Sequence, residues 1–200
     1  MWPARARGNG EGWPHGCGPG VVSGGGGVLI LETERLVFDT WQSSDWTELR
    51  PIATDVEVMR YITGGLPWSD QKIREFVDRQ VKLYAERGLC RWKLLEKPGL
   101  EMIGFCGVGL WRDGLESEIG WWLARPCWGR GLATEAARVA LRDAFERVRL
   151  ERVVSIAMPG NVASIRIMEK LGLKFECEFE SDSVGLVRYA IERTEYRAEA

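Results

Sequence analysis

The sequence predicts a mixed α/β fold, with a sheet of about seven strands covered by about four helices. Three observations predict it. Segments with strand and helix patterning follow the order strand, two helices, three strands, helix, strand, helix, two strands. That order fits a mixed sheet with helices packed on it. Two of the helical segments carry broad apolar stripes. The chain has 200 residues, 45% of them hydrophobic and 28% charged, enough for one domain with a sizeable core.

Arg35–Trp41 (RLVFDTW) reads as the first strand. Asp45 is placed to cap a helix carrying Trp46, Leu49 and Ile52 and running to about Thr54. A short acceptor side chain ahead of a periodic run can satisfy first-turn N–H groups. A further helical turn over 56–62 ends at Gly64-Gly65. Ser69 caps a long helix with Ile73, Phe76, Val77, Val81 and Tyr84 on one face, and Gly88 stops it. Strands over 90–95 and 102–110 flank Lys97-Pro98-Gly99 and read as a hairpin. Glu116–Ala124 is the next strand. A helix from about Gly131 to Val148 follows, its stripe formed by Leu132, Ala136, Val139, Ala140, Ala144 and Phe145. Arg152–Ala157 is a strand, and Asn161–Leu171 a helix that Gly172 ends. Strands over 173–179 and 184–192 complete the order.

Residues 1–30 have a different character, dominated by Gly, Pro and Arg (ARARGNGEGWPHGCGPG). Ordering such a segment costs much backbone entropy and buries little, so it reads as a disordered leader ahead of one domain over 31–197. No apolar run approaches the roughly 20 residues that cross a bilayer, and the leader lacks a signal-peptide pattern. A net charge of -2 gives no general basis for binding nucleic acid. Cys17, Cys90, Cys106, Cys127 and Cys177 are scattered, and His15 is the single histidine. That spacing offers no zinc site and no His-based triad. Free thiols fit a reducing cytoplasm. The expectation is a cytoplasmic protein with no metal, nucleic-acid or membrane partner.

The informative stretch is ESEIGWWLARPCWGRGLATEAARVAL, where a strand runs into Gly129-Arg130-Gly131 and a helix opens at once. Glycines there allow unusual dihedrals and close approach of a ligand. Unpaired N–H groups at the helix start then face an anion, such as a pyrophosphate. The dinucleotide fingerprint needs a third glycine where Thr134 stands, and Gly-Lys-Ser/Thr is absent. A second element is Gly160-Asn161-Val162-Ala163-Ser164 followed by IRIMEKLGLKF. Asn161 is a helix cap by type, and Ser164 lies one turn in.

Four pieces together resemble the GCN5-related N-acetyltransferase (GNAT) superfamily: Glu32-Thr33-Glu34-Arg35-Leu36, Ile119-Gly120-Trp121-Trp122-Leu123, Trp128 to Ala136, and Asn161 to Leu173. Within it, the chain looks like the RimJ/RimL-like branch that acetylates ribosomal-protein N-termini and related amines. Val187 to Tyr196 also matches the family's closing strand, so the resemblance spans about residues 30–197.

The resemblance implies direct acetyl transfer from acetyl-CoA to an amine acceptor, a protein N-terminus or a small molecule, by a monomer or homodimer; the alternative from another class is a non-catalytic acyl-CoA-binding module. It implies a sheet that splits between its fourth and fifth strands. Trp122, Leu123 and Ala124 would pair with the pantetheine arm at that split. Gly129, Arg130, Gly131, Leu132 and Ala133 would hold the pyrophosphate mainly through backbone N–H, with Arg130 adding charge. Asn161 would bond the pantetheine region, and Ser164 would sit near the sulfur. Backbone N–H groups near the split would stabilise developing negative charge.

Glu118 is the candidate general base, and Ser164 the candidate donor beside the leaving thiolate. Alternation puts Glu116, Glu118 and Gly120 on one face of their strand. Two departures from the family pattern stand out: Met168 occupies a frequent tyrosine position, and Pro126 replaces a residue with a usable N–H. Trp41 and Trp68 are candidates to line the acceptor channel, and Asp70 or Glu75 to meet a cationic amine.

Overall fold

The structure, a computed structural model, describes residues 31–111, 114 and 116–197. The leader expected over 1–30 lies outside the described residues. Eight strands form one sheet in the order β1-β2-β3-β4-β5-β6-β8-β7. They are β1 (Leu31–Glu32), β2 (Leu36–Asp39), β3 (Arg91–Glu96), β4 (Glu101–Trp111), β5 (Glu116–Leu123), β6 (Arg152–Ala157), β7 (Lys174–Ser181) and β8 (Val184–Glu192). The helices are α1 (Trp46–Ala53), α2 (Val56–Met59), α3 (Asp70–Arg87), α4 (Leu132–Glu146) and α5 (Val162–Lys170). The short β1, beside β2, is the strand the sequence pattern did not reveal.

The mixed sheet splits where the resemblance implied. β4 and β5 pair antiparallel along eight positions, from Gly104↔Leu123 to Trp111↔Glu116. β5 and β6 run parallel and share a single paired position, Glu118↔Val154. Next to it, the Ser155 hydroxyl donates to the Ile119 carbonyl at 3.0 Å. Beyond that point the strands part. Strand alternation then turns the N–H and C=O of Trp121 toward the split, as it does the Ile119 carbonyl.

Helices cover both faces. α4 buries Leu132, Ala136, Val139, Ala140, Ala144 and Phe145, its expected stripe, against a core that includes Trp92, Cys106, Val108 and Ile119. α1 and α3 cover the other face, with Leu49, Ile52, Ile73, Phe76 and Val77 packed around Trp41 and Phe105. Both caps expected of the long helix are present: Ser69 accepts from the Lys72 N–H, and Gly88 takes the left-handed conformation. Its buried face is rotated from the expected one. Gln80 and Leu83 are buried where Val81 and Tyr84 were expected to lead. The Gln80 side chain has a task there: Oε1 accepts from the Arg91 N–H at 3.0 Å.

Asp45 does not cap α1. It sits in a 3-10 turn, accepts from the Gln42 N–H at 2.9 Å and pairs with buried Lys93 at 2.9 Å. A buried ammonium needs a counter-charge more than an exposed helix end needs a cap.

Candidate active site

A cleft of about 1150 Å³ crosses the sheet at the split. Its walls come from β5, the turn before α4, the start of α5, and the α2–α3 region.

On one side lies the glycine turn. Gly129 and Gly131 have φ of 72° and 79°, left-handed values that L side chains rarely adopt. A Cβ at Gly129 would meet nothing within 4 Å, so backbone conformation rather than crowding selects glycine there. No side chain caps α4, and the first N–H bonded back into the turn is that of Glu135, to the Gly131 carbonyl. The preceding N–H groups, at Leu132, Ala133 and Thr134, open onto the cleft these residues line. Such a helix start favours an anion.

A carboxylate in the same first turn would compete with that anion. Glu135 is the carboxylate present, and Arg35 neutralises it, donating through Nε at 2.8 Å and pairing again through Nη2. Arg35 also donates to the Arg130 carbonyl at 3.0 Å, tying the turn to the start of β2. Burial alone would raise the Glu135 carboxyl, but hydrogen bonds from Thr33 and Arg35 outweigh it and hold it below the ordinary range. The Thr33-Glu34-Arg35 motif therefore braces the turn.

The other expected donor-side residues divide. Gly129, Gly131, Leu132, Ala133, Leu123, Asn161 and Ser164 line the cleft. Trp122 lines it only through its ring, because the alternation that turns Trp121 to the split turns the Trp122 backbone to Phe105 of β4. Asn161 Oδ1 accepts from the Ser164 N–H at 3.2 Å and caps α5, which leaves its amide N–H groups for a ligand. Ala124 is not brought in. Its N–H donates to the Ile103 carbonyl at 2.8 Å and its carbonyl accepts from Cys127 at 2.9 Å, so neither backbone group is left for a ligand. The Arg130 guanidinium also points elsewhere, forking onto the Glu96 carboxylate. Arg130 can serve the turn only through its backbone. Trp128 closes the corner, its indole N–H bonded to the Leu123 carbonyl at 2.8 Å.

On the other side of the split, Trp68 and Trp122 meet edge to face with centroids 4.7 Å apart. Phe76 and Phe105 back them. Lys72 lies over the Trp68 ring at 4.8 Å, and Arg79 lines the same wall. Trp68 lines the cleft, whereas Trp41, also expected there, is buried in the core. Asp70 and Glu75 do not line the cleft. Asp70 pairs with Arg50 at 2.7 Å, and Glu75 accepts from Gln71.

Glu118 sits on the cleft floor, only 8% exposed. Its Oε2 pairs with Arg91 Nη2. Burial pushes the carboxyl above its ordinary value of 4.5, and the Arg91 charge opposes this without cancelling it. Arg91 was not foreseen. A charged residue heading an apolar strand reads as a surface position until the partner strands are known. Met168 is buried to 1% and also lines the cleft, where it offers no proton.

The fit to a CoA-type ligand is direct: a left-handed glycine turn, uncapped N–H groups and an unpaired strand edge lie along one cleft. The model of the acetyltransferase (GNAT) domain matches residues 35–174. This chain belongs to the GNAT family. Among relatives, the GNAT chain is 30% identical to the Bacillus subtilis protein YkkB over 148 residues, covering 72% of this chain and 85% of that protein. It is also 30% identical over 175 residues to an Aspergillus fumigatus FsC-acetyl coenzyme A-N(2)-transacetylase, covering 71% and 67%. The solved structure of RimL, a ribosomal L7/L12 alpha-N-protein acetyltransferase in complex with coenzyme A, is 17% identical, with a TM-score of 0.67 over 82% of this chain and 98% of that one. That likeness shows the fold. Acetyl-CoA is the co-substrate of this GNAT enzyme, which is an N-acetyltransferase. Among the described residues, no group of three or more His, Cys, Asp and Glu could hold a metal ion, and no helix is long and apolar enough to cross a membrane.

Proposed function

We propose that residues 31–197 form a single catalytic domain that acetylates the N-terminal amine of a protein or peptide. One observation carries the catalytic part: a single cleft is lined both by the uncapped glycine turn and by the buried carboxylate of Glu118. The acceptor class rests on the RimJ/RimL-like motifs. Acetyl-CoA supplies an acetyl group activated as a thioester. The N–H groups of Gly131, Leu132 and Ala133 bind its pyrophosphate. The free edge at Trp121 and Leu123, with the Asn161 amide, aligns the pantetheine arm. Glu118 accepts the proton that the acceptor ammonium gives up, through the Oε1 that Arg91 leaves free. The freed amine attacks the thioester carbonyl, and the C–S bond breaks. The departing CoA thiolate takes the second proton that the nitrogen sheds, with the Ser164 hydroxyl orienting the sulfur or a water beside it.

A second reading takes a small-molecule amine as acceptor. The Aspergillus relative, an N(2)-transacetylase by name, favours it. Thiol release from acetyl-CoA, followed against a panel of peptides with free N-termini and a panel of small amines, separates the two. Turnover confined to the peptides supports the first reading. Turnover confined to small amines overturns it.

A further inference from the structure

The cleft floor holds a charged residue whose placement is more constrained than a salt bridge requires. Arg91 heads β3 and has both backbone groups held by side chains. Buried Gln80 accepts from its N–H at 3.0 Å, and the Trp41 indole donates to its carbonyl. Its side chain runs flat across the sheet. It crosses Gly109 of β4 and Gly120 of β5 to reach Glu118, which is paired with Gly109 across the strands. A Cβ built on Gly109 would lie 2.9 Å from Arg91 Nη1, and one on Gly120 would lie 3.3 Å from Nε. Two missing side chains thus form the slot that the guanidinium fills.

We infer that Arg91 is a positioning residue for the reaction. Seated in the slot over Gly109 and Gly120, its guanidinium fixes the Glu118 carboxylate with Oε2 held and Oε1 turned to the acceptor. This rests on the assignment of Glu118 as proton acceptor. A lysine could not reproduce the arrangement, because the flat fork both fills the slot and directs one oxygen.

Among the charges lining the cleft, which include Arg166 and Lys170 of α5 and Asp182 between β7 and β8, the one that acts on Glu118 is Arg91. From β3 the charge acting on Glu118 is Arg91 itself. On β5, Glu116 is occupied by Arg188 of β8 at 2.9 Å. From β6, the neighbouring Val154 and Ser155 carry no charge. From the helical wall, Arg79 and Lys72 of α3 line the cleft, and Glu57 of α2 is met by Arg60 at 3.6 Å. Removing the Arg91 charge therefore leaves the buried carboxyl with desolvation unopposed. Its proton is then held to higher pH.

The test compares pH profiles of kcat/KM for the full-length enzyme and for Arg91→Met, Arg91→Lys, Gly109→Ala and Glu118→Gln. Acetyl-CoA-dependent thermal stabilisation checks that each variant is folded. Arg91→Met should move the acid limb up by about 1–3 pH units, the effect of a lost opposite charge, with the KM for acetyl-CoA unchanged. Gly109→Ala leaves the arginine in place but displaces the end of its side chain. It should move the limb the same way by less, and it stands in if Arg91→Met does not fold. Arg91→Lys should restore the limb but not kcat.

An acid limb that stays at its wild-type position in both Arg91→Met and Gly109→Ala, while Glu118→Gln is inactive, overturns the inference and leaves the base assignment standing. Full activity of Glu118→Gln across the pH range removes the base assignment. Arg91 then has no proton acceptor to position, so this result overturns the inference too, and a direct carbon-13 NMR titration of Glu118 shows only whether the two groups are coupled.

Discussion

On the side of the cleft proposed to hold acetyl-CoA, the proposed contacts are mostly backbone and come largely from one stretch of chain, Trp121 to Thr134, with Asn161 added. On the side proposed to receive the acceptor, the lining comes as side chains from separate elements: Arg91 from β3, Glu118 and Trp122 from β5, Trp68, Lys72 and Arg79 from the α2–α3 region. The two halves therefore tolerate change differently. A backbone cradle depends on dihedral angles, so it fails when a glycine is replaced and hardly responds when neighbouring side chains are trimmed. A side-chain wall fails residue by residue and can be re-cut for another acceptor while the donor site stays intact.

Replacing Glu118 by Gln should have the largest effect, lowering kcat by about 100- to 10,000-fold, the usual contribution of a positioned base. The KM for acetyl-CoA should stay near wild type, and steady-state kinetics with each substrate varied checks both. Because burial raises this carboxyl, the acid limb of wild-type kcat/KM should lie above pH 4.5. Turnover is lost as pH falls through the raised value, since the protonated acid cannot accept another proton. The same shift makes a stability contribution of opposite sense to a normal ion-paired acid. It is complete below about pH 4.5 and is lost as pH rises through the folded-state value.

Gly131→Val should come next. Forcing a branched residue to a φ of 79° costs about 1–3 kcal/mol of strain, or about 5- to 150-fold in acetyl-CoA affinity if the turn distorts to relieve it. Isothermal titration with acetyl-CoA measures this, and acceptor selectivity should be unchanged. Trp68→Ala should do the reverse, raising the acceptor KM by about 3- to 10-fold through loss of the ring packing on Trp122. The acetyl-CoA constant should hold in the same kinetic experiment. Smallest of all, Arg130→Ala should change acetyl-CoA binding by less than about twofold, because an exposed arginine paired to Glu96 contributes little. A large loss there would show that the guanidinium leaves Glu96 for the phosphates, and would blur the contrast between the halves.

The same contrast explains what could be read from the sequence. The donor side is local in the chain, so Gly129-Arg130-Gly131, the apolar stripe of α4 and the Asn161 cap were all legible as patterns of spacing. Where that reading failed, a partner distant in sequence was responsible. Glu96 takes the Arg130 guanidinium, and Ile103 takes the Ala124 N–H. Asp45 looked like a cap until β3 brought Lys93 beneath it. The acceptor side is non-local throughout. Arg91, Gly109, Glu118 and Gly120 come from three strands whose register no single segment encodes. Gly109 and Gly120 lie within strand segments, and spacing alone assigns them no shared role. Their use as a slot appears only when β3, β4 and β5 are aligned.

The central claim is that a cradle made of backbone holds acetyl-CoA at the start of α4. Its most direct test is the melting temperature of the wild-type protein and of Gly131→Val as acetyl-CoA is raised to about 100 times its dissociation constant. Binding at 100 times the wild-type constant adds about 2.7 kcal/mol, so wild type should rise by about 5–10 °C for a chain of this size, and Gly131→Val, at the same acetyl-CoA concentration, should rise by about two thirds to a tenth of that. An equal rise in both proteins, or no rise in wild type at millimolar acetyl-CoA, would contradict the account.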